Sequence, residues 1–165
     1  MKRVAWFCSA AAIGLFAAAL AAQTRPDFSG RWTSAPVGDM GSGWGSNVTI
    51  TQDARRLRVE YEFFTPDDMQ PPLIFVYALD GTETENSVMM GRGRQVQVSK
   101  TEWVGDRLVI TTRHTFKHPE TGQTITSEVK QKLSLESPDL LIVEAERSGV
   151  LGGPPFTTRT AYRKY

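Results

Sequence analysis

Cysteine is almost absent from this chain. Its one cysteine, Cys8, lies inside the first apolar segment, so the rest of the sequence offers neither a disulfide framework nor a thiol nucleophile. Histidine is nearly as scarce, with only His114 and His118. Four residues of extended chain separate imidazoles by roughly 13 Å, too far to share one ion, so no metal site is predicted. Charge of one sign is lacking too: 19 Lys and Arg stand against 18 Asp and Glu, leaving no field to draw the molecule to nucleic acid or an anionic membrane. No Gly-x-Ser-x-Gly elbow occurs, and Gly38-Asp39-Met40-Gly41-Ser42-Gly43 matches neither phosphate-binding spacing. Gly91-Arg92-Gly93-Arg94 reads as a solvated turn. With no catalytic residue, cofactor or metal implied, an enzyme is not expected; a barrel enzyme would have His114 as its single visible acid or base.

What is present begins with Met1-Lys2-Arg3, an apolar run from Val4 to Ala22, and small residues at Ala19-Leu20-Ala21. This is the pattern of a secretory signal cleaved near Ala21. Residues 1–21 are thus expected to be a signal peptide and 22–165 one domain, exported to the periplasm or the cell exterior, with no membrane insertion after cleavage. Loss of Lys2 and Arg3 would leave the mature chain one charge below neutral. Without cysteine it must be held by its core, and its length suffices for one.

Beyond Pro26 the pattern has period two. Leu57, Val59, Tyr61 and Phe63 alternate with Arg56, Arg58, Glu60 and Glu62, and Ile125, Val129, Leu133 and Leu135 alternate with Thr124, Thr126, Glu128, Lys130 and Lys132. Leu108 and Ile110, then Leu141 and Val143, mark two more strands, and the whole chain offers about ten. Turn residues at Asp80-Gly81, Gly105-Asp106, Glu120-Thr121-Gly122 and Ser137-Pro138-Asp139 separate neighbouring strands, so hairpin is expected to follow hairpin. No stretch of helical spacing follows the first segment, which argues against parallel crossovers. The expected fold is all-β, a single antiparallel up-and-down barrel of about eight to ten strands, with a β-sandwich as the alternative. Charges opposite the apolar side distinguish it from an outer-membrane barrel.

The segment Pro26-Asp27-Phe28-Ser29-Gly30-Arg31-Trp32 resembles the Gly-x-Trp opening of lipocalin-like, or calycin, barrels, and of small secreted lipocalin-like domains of uncharacterised bacterial proteins that finish in Tyr-Arg-Lys, as here at Tyr162-Arg163-Lys164. The resemblance implies that Gly30 and Trp32 close one barrel end, with Arg159 or Arg163 of the last strand against the indole. Such a cation–π contact contributes about 0.5 to 2 kcal/mol. Gly30-Arg31-Trp32-Thr33 followed by Gly45-Ser46-Asn47-Val48-Thr49-Ile50 is also similar to the first two strands of avidin-like barrels. Later tryptophans that would stack on a bicyclic ligand are not supplied, so biotin binding is not expected.

Parity selects the candidate ligand wall. Tyr61, Phe63, Leu108 and Ile110 would give it apolar surface; His114, in step with Leu108 and Ile110, and Ser127 and Gln131, in step with Val129 and Leu133, would orient a ligand. Each polar group could equally satisfy an internal hydrogen bond. Trp44, in a Gly-rich loop, could cover a barrel mouth or pack on its rim. Trp103 is out of step with Val96 and Val98, which implies a bulge near Lys100 or an exposed ring. The expected partner is a small apolar or amphipathic molecule; the alternative is a filled barrel acting through its surface, with the loops at Trp44 and Val150-Leu151. Oligomeric state is open.

Overall fold

The computed structural model describes residues 25–34, 44–61, 64–65, 68–69, 72–90, 93–117, 121–149 and 154–165. The expected signal segment, Phe63, His118 and Val150-Leu151 lie outside these. The described strands are β1 (Gly30–Ser34), β2 (Asn47–Gln52), β3 (Arg56–Tyr61), β4 (Phe64–Thr65), β5 (Asp68–Met69), β6 (Leu73–Ala78), β7 (Thr84–Met90), β8 (Gly93–Val104), β9 (Arg107–Lys117), β10 (Thr124–Ser137), β11 (Leu140–Arg147) and β12 (Phe156–Lys164). Ten make one antiparallel sheet in the order β6-β3-β2-β1-β12-β11-β10-β9-β8-β7, and β4 pairs only with β5. The first strand pairs with the last, so the meander curls into a nearly closed up-and-down barrel. A sandwich would divide the strands between two facing sheets, and the continuous ladder sets that alternative aside.

Alternation creates the inside. Leu57, Val59 and Tyr61 of β3 are buried while Arg56 is exposed and Arg58 and Glu60 are half-buried. On the long strands Leu108, Ile110, Leu133, Leu141 and Val143 are buried, and exposed Arg113 and Glu83 form an ion pair. Gly105 takes φ +64° in the tight turn between Val104 and Arg107, where a side chain would strain the backbone.

One expected hairpin is not a hairpin. Asp80-Gly81 joins β6 to β7, but these are the two edges of the sheet and share no ladder. The Asn86 side chain bridges them: Val76 N donates to Asn86 Oδ1 at 2.8 Å, and Asn86 Nδ2 donates to Val76 O at 3.0 Å. A carboxamide carries the same donor and acceptor as a peptide group, so it replaces one ladder rung across a gap the backbones do not span. The Thr101 hydroxyl donates to Ala78 O beside it.

The end carrying the turns at Gly105 and Pro138 is packed shut. Trp32 is fully buried, and its Nε1 donates to Phe28 O at 3.0 Å. The cation over its ring is Lys164, 5.3 Å from the centroid, rather than Arg159 or Arg163. Register explains the correction. Trp32 lies opposite Lys164, whereas Arg159 and Arg163 fall on the other parity; Arg159 reaches Glu136 at 2.6 Å and Arg163 is exposed. Gly30, at φ +151°, lets Lys164 pass: a Cβ there would stand 2.6 Å from Lys164 Cε.

Trp103 requires a second correction. The β8–β9 register runs unbroken from Gln97 to Val104, so there is no bulge at Lys100. Trp103 is half-buried and stacks on Phe28 at 6.1 Å, on the face shared with buried Ser99 and Thr101. Val96 is the outward residue, 47% exposed. The inner face of β8 is therefore polar and its outer face carries the valines.

Candidate functional site

The strands that fill the closed end with Leu108, Leu133 and Leu141 change character toward their other ends. Along β9 the inward series continues from Ile110 to Thr112 and His114; along β10 it runs from Leu133 to Gln131, Val129 and Ser127; along β11 it ends at Arg147. Register brings these together: His114 is opposite both Gln97 and Ser127, and Val129 is opposite both Thr112 and Arg147. Substituting polar groups for aliphatic ones at these levels shortens the apolar core and leaves a cavity of about 310 Å³.

The cavity has two unlike walls. Trp44, Tyr61, Phe75 and Tyr77 form an aromatic one. Tyr61 and Phe75 stack at 5.7 Å and Phe75 and Tyr77 at 6.2 Å, with planes within 12° of parallel. Trp44 is buried rather than flexibly placed over a mouth. Its indole donates to the Tyr77 hydroxyl, and Tyr162 Oη holds the next residue by donating to Gly45 O at 2.7 Å. Gln97, Thr112, His114, Ser127 and Gln131 form the opposite, polar wall. Ser99 and Thr112 share a hydrogen bond of 2.9 Å just below it. At one margin Ser148 N donates to Glu128 O at 2.9 Å and Glu128 N donates to Ser148 Oγ at 2.8 Å, fixing the chain around Arg147.

Ionisation follows from burial. Burial pushes the Tyr61 hydroxyl up to about 12, against the opposing pull of the Arg147 charge, so it remains a neutral donor. Tyr77 is raised for the same reason. Burial lowers His114 below the ordinary 6.5. Its Nε2 bonds Gln95 Oε1; with an amide oxygen as partner Nε2 donates, and the neutral ring keeps Nδ1 as an acceptor. Arg147 is also lowered, first by its own burial, while remaining cationic; it sits 6.0 Å from the Phe156 ring.

Of the residues read from the sequence, Trp44, Tyr61, His114, Ser127 and Gln131 surround the cavity. Leu108 and Ile110 do not: both are fully buried in the closed half, below the polar level. Phe63 lies outside the described residues. Arg147, Gln97, Phe75 and Tyr77 were not selected. Arg147 had a usable signal, since it extends the inward parity of Leu141, Val143 and Ala145. Gln97 had a misleading one, because two valines marked the wrong face of β8.

A nearly closed antiparallel barrel, filled at one end and, among the described residues, lining a cavity toward the other, is thus what the fold and site define. No family model, curated protein or solved structure matches the chain.

Proposed function

We propose that the chain is an exported, lipocalin-like binding protein that holds a small apolar or amphipathic molecule inside its barrel. The observation that carries this reading is the 310 Å³ cavity with an aromatic wall facing a polar one. Pockets of this size and composition bury most of a small ligand, gaining roughly 25 cal/mol per Å² of apolar surface removed from water, while a few polar groups fix its orientation. Export rests on the pattern of residues 1–21.

The test is titration of the mature protein with an apolar fluorescent probe, beside a Ser127→Phe variant that fills the cavity from β10. Saturable one-to-one uptake by the wild type, lost in the variant, supports a carrier. Absence of uptake by the folded wild type favours a barrel that works through its surface.

A further inference from the structure

We propose that the ligand is a small, flat aromatic molecule bearing a single carboxylate, with its ring on the Tyr61, Phe75 and Tyr77 side and its carboxylate on Arg147. The proposal rests on the carrier reading and narrows it to a chemical class.

Size comes first. At about 310 Å³ the space is at the small end of ligand pockets, room for roughly ten waters and for a one- or two-ring molecule rather than a long lipid chain. Shape comes second. The apolar wall is built from rings on β3 and β6 locked in a near-parallel stack, and its fourth member, Trp44, is fixed through Tyr77. Stacked rings have few rotamers to adapt with and combine best with other flat π-surfaces, unlike the pliable Met and Leu walls that accommodate flexible chains.

Charge comes third. Arg147 is the lysine-or-arginine member among the described lining residues, and it is half-buried on the inward face of β11. A guanidinium presents a planar fork that matches a carboxylate through two parallel hydrogen bonds, strengthened where water is partly excluded. Ser127, Gln131 and His114 beside it are uncharged at neutral pH and lie on neighbouring strands; Glu128, which also borders the space, belongs to the exposed outward series of β10 and borders the outer groove with Lys100 and Arg113. One cation beside neutral donors suits a monoanion; a phosphate dianion would call for a second positive charge at the same level.

Calorimetric titration of the full mature chain with 2-naphthoate, 2-naphthamide and decanoate tests this. Naphthoate should bind about tenfold or more tightly than either of the others, the span expected for a charge-assisted bond. In Arg147→Gln the preference for naphthoate over naphthamide should fall toward one, and Arg147→Lys should keep part of it. Near-ultraviolet circular dichroism of the tryptophans checks folding, and should Arg147→Gln fail to fold, the wild-type preference and the lysine variant still decide. Equal affinity for the acid and the amide, tighter binding of decanoate, or an undiminished preference in Arg147→Gln would overturn the assignment while leaving the carrier reading in place. No binding of any probe, by a protein that also carries no molecule from its host, would overturn both.

Discussion

Two residues at the barrel's ends show how much a single side chain decides. His114 is neutral in the folded barrel because burial disfavours the imidazolium. The unfolded chain, with an ordinary value near 6.5, therefore takes up a proton first, so stability present above that value is lost as pH falls through it toward the lower folded value. Urea denaturation at several pH values between about 7 and 5 should show this decline, and His114→Gln should flatten it. At the closed end, the cation that matters is Lys164. Lys164→Ala should cost about 0.5 to 1 kcal/mol, the range of a cation–π contact for an exposed lysine, and Arg159→Ala measurably less, because it removes only an exposed pair with Glu136. Equal costs in denaturant would contradict the assignment of Lys164.

At the level of strands, the seam between β6 and β7 is the distinctive feature. Asn86 is buried and satisfies both polar atoms of Val76. Asn86→Ala should destabilise by about 1 kcal/mol or more, since it strands the half-buried donor and acceptor of Val76. Asn86→Asp should do so as well, because an ionised carboxylate cannot donate to Val76 O. Hydrogen exchange at Val76 reads the same event locally: faster exchange confirms the bridge, and unchanged protection denies it. The strands themselves were legible in the sequence wherever one face was apolar and the other charged, as at Leu57 to Tyr61 and Ile125 to Leu135. The rule failed on β8, where Ser99 and Thr101 point inward and Val96 points outward. Apolar residues identify an inner face only where the interior is dry, and this part of the interior is hydrogen-bonded. The seam was illegible for a related reason: Asp80-Gly81 is ordinary turn chemistry, and turn chemistry says nothing about whether the flanking strands finally pair.

Across the whole molecule, one half of the barrel is filled by the apolar core and the other lines the cavity proposed to bind a ligand. Leu133→Ala in the filled half should cost about 2 to 5 kcal/mol in denaturant unfolding, the usual span for a buried leucine. Gln131, one rung further along the same inward series of β10, lines the cavity, so Gln131→Ala should change ligand affinity more than stability. That division explains which site residues were readable. Parity correctly brought Tyr61, His114, Ser127 and Gln131 to one interior, but it could not say at which level filling stops, and so it joined Leu108 and Ile110 to a wall they lie beneath. The central claim, a barrel kept hollow at one end for a small molecule, is met most directly by native mass spectrometry of the mature protein purified from its own host, followed by denaturing extraction. The account predicts one small molecule per chain, released on unfolding. A bare protein mass, with no apolar probe taken up on titration, would contradict it.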